Sequence, residues 1–210
     1  MPHPTTIDID AVRSAQLSHE PYDFLCASSF LRQQAIADLH HDFPDIRKPG
    51  YLTVEEVTLK GRFKTLIEEM EGSELTEALS QKFGRNLHPY PRLTTVMRHS
   101  QAKYGAIHTD SSSKIMTMLV YMNPDWQADQ GGRLRALYDD KSYEPYAVEV
   151  PPTMGQIFAF LRSEKSWHGH KPFTGERKVV QVAWVKDQAE LNRKKKRNAV
   201  AQVLKGLFHC

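Results

Sequence analysis

Hydrophobic positions change their period near residue 90. Ahead of that point they recur at helical spacing. Leu31, Ala35, Ile36 and Leu39 share one face, and the Phe43-Pro44 step ends the segment, because a residue before proline is pushed out of helical backbone. Phe63 to Met70, with Leu66 and Ile67, predicts a second helix that stops at Gly72-Ser73. Ser73 is then expected to cap a third helix, carried by Leu75, Ala78 and Leu79 and ended by Gly84. Between the first two, Leu52, Val54 and Val57 alternate and predict the start of a sheet.

From Leu93 onward the pattern is that of strands. The runs Leu93–His99, Ile115–Met122, Arg133–Tyr138, Tyr146–Val150, Gln156–Leu161 and Arg177–Val185 are rich in β-branched and aromatic residues. Asn123-Pro124-Asp125, Gly131-Gly132, Pro151-Pro152 and Gly155 punctuate them. Successive short strands with no helix between them predict an all-β sandwich or barrel and argue against a parallel α/β sheet. After about Asp187 the pattern is helical again, with Val200, Val203, Leu204, Leu207 and Phe208 on one stripe. The expected organisation is one domain over 1–210: a mostly helical part at 1–90, a β core at 91–186 and a terminal helix at 187–210.

Composition narrows this little. Hydrophobic residues make up 40% and charged residues 25% of 210, a globular balance. The formal charge of +3 is small, and much of the excess sits in Arg193-Lys194-Lys195-Lys196-Arg197. Five charges without interleaved aromatics read as the solvated face of the terminal helix, and neither nucleic acid nor a membrane surface is expected as partner. Cys26 and Cys210, at opposite ends of the chain, make no disulfide framework and no cysteine-built zinc site. Asp8 and Asp10 stand where a secretory signal would need an apolar run. No stretch of about 18 apolar residues is present to span a membrane, so a reducing cytoplasm is the expected compartment.

The chemistry begins at His108-Thr109-Asp110. An imidazole and a carboxylate two residues apart can point the same way at the end of a strand. A third ligand, another imidazole, would complete a 2-His-1-carboxylate triad, which covers one face of a ferrous ion and leaves the other positions open. That imidazole should come from a distant strand, and Ser166-Trp167-His168-Gly169-His170 offers two. Arg177, nine residues after His168, opens a strongly apolar strand. An arginine is hard to bury there without a carboxylate partner, and its fork suits a dicarboxylate ligand held bidentately.

From about Arg92 to Val185 the chain resembles the prolyl-hydroxylase branch of the Fe(II)- and 2-oxoglutarate-dependent dioxygenases. The likeness rests on four stretches in order: His108-x-Asp110; Tyr121-Met122-Asn123-Pro124-Asp125-Trp126; Gly131-Gly132-Arg133-Leu134-Arg135; and His168 followed at nine residues by Arg177. The resemblance implies a mainly β fold with flanking helices, a double-stranded β-helix (jelly-roll) barrel preceded by helices and followed by one. It implies that His108, Asp110 and His168 bind Fe(II), with His170 as the rival third ligand. It also implies that Arg177 and Tyr121 hold the far carboxylate of the cosubstrate 2-oxoglutarate, with dioxygen as second substrate and ascorbate as a candidate reductant. Relatives carry a cosubstrate-contacting tyrosine near the place of His99, a departure here. The implied reaction is hydroxylation of an unactivated C–H bond with release of succinate and carbon dioxide.

A small-molecule or metabolite substrate is favoured over a protein, because no accessory peptide-binding domain is evident. Nucleic-acid demethylases of the superfamily carry a second arginine where this chain has Ala183. Two other classes compete: a cupin-type non-redox metal enzyme, which would leave Arg177 and Tyr121 without a role, and a non-catalytic metal- or ligand-binding module.

Overall fold

A computed structural model describes residues 5–127 and 131–207, with side chains described as far as Arg197. In chain order the elements are α1 (Asp10–Ser14), β1 (Leu17–Ser18), β2 (Phe24–Ala27), α2 (Ile36–Asp42), β3 (Leu52–Thr53), α3 (Gly61–Met70), α4 (Ser73–Phe83), β4 (Arg92–Ser100), β5 (Lys114–Tyr121), β6 (Leu134–Leu137), β7 (Tyr146–Val150), β8 (Ile157–Leu161), β9 (His168–Gly169), β10 (Gly175–Val185) and α5 (Gln188–Leu207). The strands form two antiparallel sheets, a larger one ordered β1-β2-β8-β5-β10-β4-β3 and a smaller one ordered β7-β6-β9. This is the expected jelly roll, with helices flanking it.

Period-two alternation divides the side chains of the large sheet between two cores. On β5, Met116, Met118 and Val120 face the helices, where they meet Phe63, Leu66, Met70 and Leu79. Leu119 and Tyr121 face the other way, into the barrel, with Phe158, Phe160, Leu134 and Val179. Both faces of β5 and β10 are therefore covered, which explains the largely apolar runs Ile115–Tyr121 and Val179–Val185.

The sheet does begin near Leu52, at β3, but the N-terminal part is less helical than its sequence predicts, since β1 and β2 also lie in it and join the large sheet. Phe24–Ala27 escapes periodicity because it is four residues long and pairs with β8, far away in sequence. Ser73 does not cap α4. Gly72 occupies the cap position, no side chain caps it, and Ser73 is the first helical residue; Gly84 does end the helix, at φ 62°. Nor is the basic run wholly solvated: Lys194 is buried, its Nζ 2.7 Å from the Ser111 hydroxyl. The side chains of the stripe Val200, Val203, Leu204 and Leu207, and Phe208 itself, lie outside the described residues.

Asn123 ties the end of β5 to β10 and to the loop before β8. Its Nδ2 donates to the carbonyls of Pro152 (2.6 Å) and Lys178 (3.2 Å), and its Oδ1 accepts from Lys178 N at 2.8 Å. All three bonds are buried. The Lys178 carbonyl also accepts from the Met122 N–H at 3.1 Å, so Asn123→Ala would strand two backbone groups, the Pro152 carbonyl and the Lys178 N–H. At about 1–3 kcal/mol each, a destabilisation of roughly 2 kcal/mol or more is expected in denaturant unfolding. A loss below about 1 kcal/mol would show that water reaches these groups.

Candidate active site

His108 lies just ahead of β5 and His168 opens β9. Their backbones bond reciprocally, each N–H donating to the other's carbonyl at 3.0 Å. This bridge brings the two imidazoles side by side, with ring centroids 4.3 Å apart. Each ring is then set in the same way. The Nδ1 of His108 donates to the Ala106 carbonyl at 2.8 Å, and that of His168 to the Ser166 carbonyl at 2.9 Å. A carbonyl can only accept, so Nδ1 carries a hydrogen in both rings, and Nε2 is the nitrogen left to offer a lone pair. Burial, and then the nearness of His108, lowers the His168 pKa to about 4, so the ring is neutral near pH 7.

Asp110 supplies the carboxylate. Its Oδ1 accepts from Lys114 Nζ at 2.8 Å and its Oδ2 from the Thr117 hydroxyl at 2.6 Å. Burial alone would raise its pKa, but the Lys114 ammonium and His168 outweigh it and hold the carboxyl well below its ordinary range. A carboxylate offers about four lone-pair directions, so two such bonds still leave room for a cation. One ligand atom from each of His108, Asp110 and His168 lies within 4.8 Å of the others. Two imidazoles that can each offer Nε2 and one ionised carboxylate fit the ferrous donor set.

His170 is placed differently. Its Nδ1 donates to the Lys171 carbonyl at 2.9 Å, its backbone N–H to the Gly105 carbonyl at 2.9 Å, and it stands outside the three-residue cluster. Burial and the Arg177 charge lower its pKa to about 3. It lines a cavity of about 130 Å³ shared with His108, His168, Arg177, Tyr51 and Gln181.

Arg177 closes this cavity inside the barrel. A bulge between Glu176 and Val179 breaks the register of β10 with β4, and bulges re-aim side chains. The residue is 2% exposed. Its Nε donates to the Gly132 carbonyl at 2.9 Å and its Nη2 to the Tyr121 hydroxyl at 3.3 Å. Tyr121 is wholly buried, and burial raises its pKa, so its phenol remains protonated. No carboxylate pairs with Arg177 among the described residues, whereas buried Arg135 has Glu149, buried Lys178 has Glu176 and half-buried Lys114 has Asp110.

The glycine pair gains its reason here. Gly132 sits at φ 82°, which turns its carbonyl to Arg177, and a Cβ on Gly131 would meet the Pro172 carbonyl at 2.3 Å. Trp126 donates to the Gly131 carbonyl at 3.0 Å and packs on Phe173, 4.7 Å between ring centroids. Sequence reading missed Lys114, Thr117 and Tyr51. Thr117 was within reach of it, since alternation sets Thr117, Leu119 and Tyr121 on one face of β5.

Residues 94–186 match the model of the 2OG-Fe(II) oxygenase superfamily. The chain carries a 2OG-Fe(II) oxygenase domain. The chemistry of that superfamily draws on Fe(II), 2-oxoglutarate and dioxygen. No curated protein sequence matches it. Solved structures share the oxygenase's fold at low identity. A prolyl 4-hydroxylase from Phytophthora capsici aligns with TM-score 0.58 and 16% identity, covering 89% of this chain and 68% of that one. One from Pseudomonas putida gives 0.57 and 16%, covering 85% and 90%. AviO1 from Streptomyces viridochromogenes gives 0.50 and 14%, covering 88% and 98%. Among the described residues no helix of the oxygenase is long and apolar enough to cross a membrane.

Proposed function

We propose that this oxygenase hydroxylates an unactivated C–H bond, with Fe(II) held by His108, Asp110 and His168 and the far carboxylate of 2-oxoglutarate held by Arg177 and Tyr121. The observation that carries the reading is Arg177, a buried guanidinium with no acidic partner among the described residues. A cation buried without an anion is costly, so the fold is complete only when a ligand brings one. A cupin-type metal enzyme would leave this charge unexplained.

When bound, iron, 2-oxoglutarate and dioxygen supply oxidative decarboxylation coupled to oxidation of the substrate. The chain's part is to bind and orient. His108 and His168 present Nε2 lone pairs fixed by their Nδ1 bonds, while Lys114 and Thr117 hold the Asp110 carboxylate at a set angle. Phe160 packs against His168, with ring centroids 4.6 Å apart, and keeps water from that side.

The direct test is succinate release from 2-oxoglutarate by the iron-loaded protein, alone and with candidate substrates. The candidates should include small metabolites, and proline-containing peptides because the solved structures of similar fold include prolyl 4-hydroxylases. Iron-dependent succinate formation is expected, increased by the true substrate. If 2-oxoglutarate is neither bound nor consumed, the reading fails.

A further inference from the structure

The segment ahead of the barrel core reaches into the cavity at one point. Pro49 pairs with His99 on β4, and the Gly50 N–H donates to the His99 carbonyl at 3.0 Å, with Gly50 at φ 99°. Beyond it, Leu52 pairs with Val96 and Thr53 with Thr95. Alternation from this register sends Leu52 to the helix-side core and Tyr51 into the barrel, against the cluster that contains Tyr121, Leu119 and Met97. Tyr51 lines the same cavity as His108, His168 and Arg177. Its hydroxyl is hydrogen-bonded with the Arg177 guanidinium, and burial raises its pKa, so the phenol keeps its proton.

Two phenols therefore flank one guanidinium. A phenol that accepts from arginine still has its own O–H to give. Among the described residues, the side-chain bond of Tyr121 is the one received from Arg177. A group able to accept from a guanidinium and from two hydroxyls at once needs several lone pairs and a negative charge, as a carboxylate has.

We propose that Tyr51, which lies outside the segment 94–186 matched by the family model, is a third donor to the far carboxylate of the cosubstrate, so that the N-terminal part of the chain completes the pocket. The inference rests on the proposed binding of 2-oxoglutarate next to Arg177. It makes Tyr51 a determinant of affinity for dicarboxylates, with no part in holding the metal.

The experiment is calorimetric titration of 2-oxoglutarate into Mn(II)-loaded protein without dioxygen, for wild type, Tyr51→Phe, Tyr121→Phe, the double variant and Arg177→Ala. Mn(II) affinity and melting temperature are measured alongside. Phenylalanine fills the same space, so Tyr51→Phe is expected to fold and to keep the Mn(II) affinity of wild type. Its 2-oxoglutarate affinity should fall about tenfold or more, the cost of one hydrogen bond to a charged group. The double variant should lose more than either single one. Tyr51→Phe binding within twofold of wild type would overturn the inference while leaving the cosubstrate reading intact. An equal loss of Mn(II) affinity would make Tyr51 a structural residue and overturn it as well. If wild type does not bind 2-oxoglutarate, or Arg177→Ala binds it undiminished, the cosubstrate reading itself falls.

Discussion

His168→Ala should reduce Fe(II) affinity by more than about 100-fold, because removing a mere supporting partner of a metal ligand already costs 10–100-fold. His108→Ala and Asp110→Ala should do the same. Two remaining donors cannot cover one face of an octahedral ion, and water competes for every position they leave. His170→Ala is the informative contrast. Its Nδ1 is committed to the Lys171 carbonyl and it stands apart from the cluster, so affinity should stay within a few-fold of wild type. Anaerobic titration of the four purified variants with Fe(II) decides the matter. Near-native affinity in His168→Ala together with loss in His170→Ala would exchange their roles.

Arg177→Ala carries the second large effect. The change would leave the far carboxylate of 2-oxoglutarate facing the Tyr121 hydroxyl and the Gly132 carbonyl, with no positive charge to meet it. Breaking a buried charge pair costs roughly 2–5 kcal/mol, so the 2-oxoglutarate requirement should rise by between about 30-fold and several thousand-fold. Arg177→Lys should fall between, since it keeps the charge but neither the fork nor the bond to Gly132. Tyr121→Phe removes one hydrogen bond to a charged group, about 1.5–3 kcal/mol at most, and should be milder than Arg177→Ala. Fe(II) affinity should remain close to normal in all three, because none contributes to the cluster of His108, Asp110 and His168. An Arg177→Ala protein that takes 2-oxoglutarate as readily as wild type would remove the cosubstrate assignment and revive the cupin-type alternative.

Sequence alone determined the β core, the helices at 61–70 and 73–83, and the reactive residue types. The β core was legible because strands buried on both faces are apolar over most of their length, as Ile115–Tyr121 of β5 and Val179–Val185 of β10 are. His108-x-Asp110 was legible because its two side chains are close in the chain itself. Arg177 was conspicuous because a charge in such a strand demands an anion. Other features depended on register between segments far apart. The His108–His168 backbone bridge spans sixty positions, and periodicity within a single segment contains no trace of it. Between His168 and His170 the tertiary structure alone separates the environments, since side chains two apart on a strand share a face and only their neighbours differ. Lys114 and Thr117 meet Asp110 because the chain turns back on itself before β5, and Tyr51 meets Arg177 because Pro49 and Gly50 dock on His99. Local pattern reports which face of an element is buried; which buried groups touch is fixed by strand order and register, and those emerge only when the sheets close.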